Sequence, residues 1–308
     1  MPAVNVGRKP CCWDKQFVKI LLFGRDGQLG TALSKHLQGR DGFKAYGKAG
    51  LDLCNLAFLR QTILQEKPQV ILNAAAYTAV DQAESDQDAA NLINSEAPGV
   101  MAAAARTVGA LLVHYSTDYV FDGRACIPYT EDAPAHPSGV YGKTKLAGER
   151  AIRAAGAAHL IIRTAWLYSS VGKNFLRSIL RLAQERDELR VVNDQTGSPT
   201  YAAAVAEASL QMLPQVIAKG IDESKIGTFH MTCQGATTWY SFTHKIMQLA
   251  DKPQVRVTPI TSAEYPTPAR RPAYSVLDNS KLARVFGITL PHWEQALKQC
   301  MMEHESAK

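Results

Sequence analysis

The stretch that most restricts what this chain can fold into is KILLFGRDGQLGTALSKHLQ, residues 19–38. Its four apolar residues Ile20-Leu21-Leu22-Phe23 read as a strand buried on both faces. The run breaks at Gly24 and passes through Gly27 and Gly30 into a helical pattern carrying Leu29, Leu33 and Leu37. A strand that feeds a helix through such a turn aims backbone N–H groups at an anion, and glycines let the backbone approach it closely. That is how a dinucleotide pyrophosphate is held. The G-x-x-G-x-x-G spacing is one residue wider at the front than the usual fingerprint, and a tight βα turn without a ligand would read the same way.

The alternation continues. Phe43-Lys44-Ala45-Tyr46 is a short second strand, 55–65 is helical, and Val70–Thr78 is a third strand ending in small residues. Residues 89–108 form an Ala-rich helix and Leu111–Phe121 the next strand, its apolar run giving way to Ser116-Thr117-Asp118. His159–Thr164 and the helix Phe175–Glu185 follow. Repeated β-α-β units predict an α/β fold, a Rossmann-type doubly wound parallel sheet. We expect a flexible extension over 1–18 and a dinucleotide-binding domain over 19–190. A smaller substrate-binding region over 191–308, partly interleaved with that domain, is rich in loops such as Val191–Thr200 and Tyr265–Pro272.

Composition narrows the classes of function. A net charge of +6 over 308 residues, without long basic runs, argues against nucleic acid and suits a small anionic ligand. None of the six cysteines forms a CxxC pair or a metal-ligand spacing, which reads as thiols in a reducing compartment. No apolar run approaches the ~18–20 residues needed to span a membrane. Cytoplasm is the expected location.

Chemistry enters with VYGKTKLAGE, residues 140–149, which sets Tyr141 and Lys145 four apart in a helical pattern. Both side chains then leave the same helix face. A phenol has an unperturbed pKa of about 10, and a nearby ammonium favours the phenolate. Lowering that pKa to about 7 takes about 4 kcal/mol. A tyrosine tuned this way hands a proton to a carbonyl oxygen as hydride reaches the carbon. The plainer alternative is an exposed Tyr/Lys pair on a solvated helix. The glycine turn, then Thr117 at a strand end, then Tyr-x-x-x-Lys form a connected set that favours the catalytic reading.

With these residues in view, the chain resembles the extended short-chain dehydrogenase/reductase superfamily and, within it, the dTDP-4-dehydrorhamnose reductase family. The resemblance rests on LLFGRDGQLG (21–30), NAAAYTAVDQAE (73–84), HYSTDYVFDG (114–123), VYGKTKLAGE (140–149), RTAWLY (163–168), NDQTGSPT (193–200) and YPTPARRP (265–272). It implies that Gly24, Gly27, Gln28, Leu29 and Gly30 meet the pyrophosphate of NADPH or NADH. Asp52 and Leu53 would lie by the adenine, and Ala76, Tyr77, Thr78 and Tyr115 along the rest of the cofactor. Lys145 would hold the nicotinamide ribose. Tyr141, Lys145 and Thr117 would be catalytic, and Thr117, Asp118, Tyr141 and Trp166 would line the sugar. Arg271 would pair with the nucleotide diphosphate. The implied reaction is reduction of the C4 ketone of dTDP-4-dehydro-L-rhamnose. Some members carry Mg²⁺ at a dimer contact, so a homodimer is an expected partner state, but the spacing names no metal ligand.

Plainer roles remain open at several positions. Asp52 also suits a helix cap, Trp166 a core position, Ser116-Thr117-Asp118 a capped strand end, and Arg271 a loop salt bridge. No carboxylate follows the second strand before Asp52, while Arg25, Lys44 and Lys48 lie nearby, which suggests that both cofactors work with NADPH modestly favoured. The rivals for function are another sugar-nucleotide 4-ketoreductase or epimerase, and a regulatory homologue without turnover.

Overall fold

The computed structural model describes residues 18–306, so residues 1–17 of the expected N-terminal extension lie outside the described residues, while its last residue, Val18, is buried in the core. Six strands form one parallel sheet: β1 Ile20–Phe23, β2 Phe43–Tyr46, β3 Val70–Asn73, β4 Leu111–Thr117, β5 His159–Thr164 and β6 Gly227–His230. Their order across the sheet is β6-β5-β4-β3-β1-β2. The chain leaves β1 toward β2 on one side and returns to β3 on the other, so the strand order reverses between β1 and β3. In open parallel sheets ligands bind outside the strand ends at such a point.

Every residue of β1, β3 and β4 is buried. Alternate side chains serve two cores. Ile20 and Leu22 join the layer with Leu29 and Leu33 of helix α1 (Gln28–Leu37). Leu21 and Phe23 join the layer with Leu59 and Ile63 of α2 (Leu56–Glu66) and Met101 of α3 (Ala97–Val108). Two-sided burial is why these strands are continuously apolar. Each large side chain so buried contributes about 1.5–3 kcal/mol.

Three elements differ from the sequence reading. β3 stops at Asn73: Ala74 N–H makes the last bond to β1, at the Phe23 carbonyl, and Ala75 N–H turns to the Asn73 side chain. β4 stops at Thr117, whose Oγ1 accepts from Tyr119 N–H and starts a 3₁₀ turn over Asp118–Val120. The expected helix over 89–108 instead begins at Gln87 and widens into a π turn at Leu92–Glu96. Pro98 lacks the N–H that would close the α bond to the Asn94 carbonyl, which leaves room for the wider turn.

The helix that carries Tyr141 and Lys145, α4 (Val140–Ala155), lies against this π turn. The following helices are α5 (Phe175–Glu185) and α6 (Ala202–Ile217), and α6 packs on α1 before the chain enters β6. The loops 193–200 and 261–275 are stitched together: Asp194 accepts from Ser262 N–H and Oγ–H, and Thr196 N–H bonds the Ala273 carbonyl. Among the described residues no helix is long and apolar enough to cross a membrane.

Candidate active site

A cavity of about 800 Å³ runs along the C-terminal edges of β1, β3, β4 and β5. One end is the glycine turn. Gly24 has φ +86° and lies against the backbone of Ala75, where any Cβ would collide. Gly30 sits below the cavity wall, its Cα on the Gly24 carbonyl, so it permits the turn without facing the cavity. Gly27 caps α1 and offers no side chain to the first-turn N–H groups. The Gln28 carboxamide is held by Ser169 Oγ–H at 3.0 Å and Asn174 Nδ2–H at 2.9 Å. That docks Gly172, Lys173 and Asn174 on the cavity rim. The sequence reading missed this segment; its one local signal is Asn174 as the cap of α5.

Beyond the turn, Tyr46, Gly47, Lys48, Leu51, Asp52 and Leu53 line the same cavity. The cap of α2 is Asn55, not Asp52; Asp52 accepts from Cys54 N–H at 3.0 Å, which holds its carboxyl below the usual range. Asp26 lines the cavity as well and lies against Gly47, where a side chain would displace it. Of the three cations expected near the ribose, Lys44 is paired with Glu66 at 2.6 Å and Arg25 with Asp26 at 3.1 Å. Only Lys48 of the three faces the cavity.

The opposite end is built by α4. Gly142 lies on the Tyr119 carbonyl and Gly148 on the Asn94 carbonyl, contacts that any Cβ would block. Glycine inside a helix costs about 1 kcal/mol, and here it allows the close approach that sets Tyr141 and Lys145 at the cavity wall. The helix is pinned from below by Glu149, which is fully buried. Its carboxylate accepts from Arg163 Nε–H and Nη2–H at 2.9 and 2.7 Å, Ser116 Oγ–H at 2.7 Å and Arg153 Nη2–H at 2.9 Å. Burial works against this carboxylate, yet the Arg163 bonds hold it below the usual range. Asn94 ties the cavity floor to the same helix: it bonds the Tyr77 N–H at 2.9 Å and donates to the Tyr77 carbonyl at 3.1 Å and Thr144 Oγ1 at 3.2 Å.

The electrostatics correct the expected tuning of the pair. Tyr141 is not acidified: burial pushes it up to about 12, a Thr117 bond pulls the other way, and the Asp118 charge adds to the rise. Lys145 is itself brought down to about 8 by burial, against the opposing charge of Glu149. Removal from water outweighs the attraction that spacing alone suggested. In this arrangement Tyr141 keeps its proton, as an acid must before it donates.

Thr117 and Asp118 both face the cavity. Thr117 Oγ–H donates to Asp118 Oδ1 at 3.0 Å, so the hydroxyl serves as strand-end cap and carboxylate partner together. Asp118 is buried and pushed up to about 6 by that burial, with bonds from Ser275 and Thr117 pulling the other way. Trp166 is half-buried at the wall with φ +47°, stacked on Trp239 at 3.5 Å over Gly197. Arg271 is not among the residues that line this cavity. It forms a two-pronged pair with Asp81 at 3.0 and 2.8 Å. Ala76, Tyr77, Thr78 and Tyr115 line the middle of the cavity. Among the described residues no group of three or more His, Cys, Asp or Glu is placed to hold a metal ion.

A dinucleotide fits these residues. The uncapped start of α1, the glycines at close backbone contacts and the length of the cavity from Asp52 to Tyr141 match its phosphates and two ends. A parallel sheet with a glycine turn at its reversal point and Tyr-x-x-x-Lys beside β4 defines a Rossmann-type short-chain dehydrogenase/reductase fold. More narrowly, the chain belongs to the family described as RmlD substrate binding domain, whose model matches residues 18–306. A dTDP-4-dehydrorhamnose reductase of Burkholderia thailandensis is 43% identical over 93% of this chain and 99% of that protein. The enzyme of the same name from Escherichia coli is 39% identical over 93% and 98%. Among solved structures, a dTDP-4-dehydrorhamnose reductase of Clostridium acetobutylicum superposes with a TM-score of 0.88 at 40% identity, covering 93% of this chain and 99% of that one. One from Bacillus anthracis, in complex with NADP, gives 0.86 at 35% identity, covering 94% and 100%.

Proposed function

We infer that this chain is an NAD(P)H-dependent oxidoreductase that reduces the C4 ketone of dTDP-4-dehydro-L-rhamnose to dTDP-L-rhamnose, a step of dTDP-rhamnose biosynthesis. The observation that carries this reading is one cavity with the glycine turn at one end and Tyr141, Lys145, Thr117 and Asp118 at the other. It stands in a chain 43% identical to a dTDP-4-dehydrorhamnose reductase.

A reduced nicotinamide held along this cavity, from the glycine turn to Tyr141 and Lys145, would supply the hydride for the carbonyl carbon. Tyr141 gives its hydroxyl proton to the oxygen, which becomes an alcohol as a general acid requires. Thr117 is set to meet the same oxygen once its proton turns from Asp118, stabilising the charge that develops there. Asp118 lines the same end of the cavity, and its Oδ1, released as the Thr117 hydroxyl turns, accepts a sugar hydroxyl. Trp166, its ring faces covered by Trp239 and Gly197, gives this end of the cavity an apolar wall against the deoxysugar. Arg271 acts at a distance: through Asp81 it fastens the 265–272 loop beside the cavity. A cytoplasmic homodimer is the expected working form.

The test is direct. The purified protein mixed with the dTDP-4-keto-L-sugar and NADPH or NADH should consume reduced cofactor, seen as falling absorbance, and yield dTDP-L-rhamnose. Epimerised sugar without cofactor loss would mark an epimerase, and cofactor binding without turnover a regulatory protein.

A further inference from the structure

Tyr141 occupies a weak place in its helix. It is the second residue of α4, and the first turn of a helix has N–H groups without partners inside the helix and frays most readily. Lys145 and Glu149 come later in the same helix, both buried, and Glu149 is fastened to Arg163. Fraying of the first turn would therefore displace the acid and leave the lysine where it is.

Helix starts are usually closed by a Ser, Thr, Asp or Asn at the capping position, whose side-chain oxygen accepts from a first-turn N–H. In α4 that position is Gly139, which has no side chain to offer. The oxygen comes from elsewhere: Glu84, 56 positions earlier in the chain, accepts from Val140 N–H through Oε1 at 2.9 Å. Gly139 makes the room for it. The Gly139 backbone is extended, with φ −119° and ψ 169°, which other residues adopt freely, so the turn itself does not require glycine. A Cβ there would stand 2.8 Å from Glu84 Oε1 and meet nothing else within 4 Å beyond its chain neighbours. The missing side chain serves the carboxylate. A negative charge at a helix start is also favoured by the partial positive charge of the free N–H groups.

Glu84 is itself held in place. It closes the short helical turn Val80–Ala83. From that turn Asp81 reaches the other way, to Arg271 and to Ala269 N–H at 3.2 Å. Two residues beyond Glu84, Asp86 accepts from the Tyr77 hydroxyl at 3.0 Å, and Tyr77 lines the cavity. The carboxylate thus projects from a segment braced on both sides.

We infer that Glu84 is a positioning residue for the reduction: it caps the Tyr141 helix from outside and so fixes the general acid at the cavity wall. Glu84 does not line the cavity itself. The inference rests on the reductase reading for its effect on turnover but not for the cap.

Amide hydrogen exchange in the ligand-free protein reads the cap directly. Lys143 N–H, whose 3.0 Å bond to the Gly139 carbonyl closes the first turn, should exchange faster in Glu84→Ala than in the wild type. Glu84→Gln keeps an accepting oxygen and should restore the protection. Equal exchange in the wild type and Glu84→Ala overturns the inference, whether or not the protein reduces the sugar. In turnover, Glu84→Ala should lower kcat about tenfold or more, because small misplacements of a reacting group are costly, with the Kd for reduced cofactor unchanged. A wild type that turns over and a Glu84→Ala variant that matches it overturn the role. So does an equal loss of cofactor affinity, which would mark general damage to the fold. The compensating change is Gly139→Ser in the Glu84→Ala chain, where the serine hydroxyl has room and caps the helix locally, so kcat should recover. No recovery in either that double variant or Glu84→Gln means that the loss did not come from the cap, and the role falls.

Discussion

The two ends of the cavity are held by different physics. At the glycine turn the working groups are backbone: Gly24 against Ala75, Gly30 under Gly24, and the uncapped start of α1. The charged side chains nearby, Arg25 and Asp26, are exposed and paired with each other. At the Tyr141 end the working groups are side chains buried with their partners, from Glu149 under Arg163 to Lys145 against His114. Exposed pairs are screened by water and salt and are worth about 0–1 kcal/mol. Removing one member of a buried pair costs about 3–5 kcal/mol, because the other charge is stranded. One end tolerates changes of charge, and the other does not.

The sharpest test of that contrast is Tyr141→Phe. It removes the acidic hydroxyl and keeps the ring, which packs edge-on against Tyr119 at 5.5 Å. Turnover should fall about 10²–10⁴-fold, with cofactor affinity nearly unchanged. Stopped-flow reduction and a cofactor titration separate the two. A loss of only a few-fold means that another group supplies the proton.

Next comes Glu149→Gln, which should destabilise the fold by about 3–5 kcal/mol in urea unfolding. Its pH signature follows from sign. The folded carboxyl lies below its ordinary range, so its stabilisation is complete above that range and is lost as pH falls through the folded value. The wild type should therefore lose stability in acid more steeply than the variant. Parallel acid-unfolding curves would show that the buried pair contributes little.

A smaller effect is expected at Arg271→Lys, since a lysine cannot keep the two-pronged contact with Asp81. We expect a rise in KM for the sugar nucleotide of roughly tenfold or less with kcat retained, for a loss of about 1 kcal/mol. An unchanged KM means that the 265–272 loop needs no such fastening.

The smallest effect is at the ribose end. Lys48→Ala should lower the preference for NADPH over NADH by a factor of about five, and Asp26→Asn should raise it by a similar factor. Both shifts should shrink in high salt. A change of a hundredfold at either position would make this end as charge-sensitive as the other and end the comparison.

Much of this was readable along the chain. The apolar runs at 20–23, 70–73 and 111–115 and the glycines between strand and helix are local patterns, and a doubly wound sheet follows from their repetition. The spacing of Tyr141 and Lys145 is equally local, because four residues on a helix suffice to align them. What spacing could not reveal was the medium around them. Desolvation reverses the expected shift of Tyr141 and lowers Lys145, and burial belongs to the packed molecule.

Pairings across the sequence were hidden for the same reason. Arg271 finds Asp81 from 190 positions away, and Asn73 meets His114 from 41. The first depends on where a C-terminal loop lands, and the second on strand register, in which a shift by one residue turns every side chain to the other face. Sequence by itself determined the sheet, the glycine turn and the residues brought to its edge. Only the tertiary structure decided which of them carry charge, which donate, and which partners they keep, because those depend on distance and exclusion of water rather than on order along the chain.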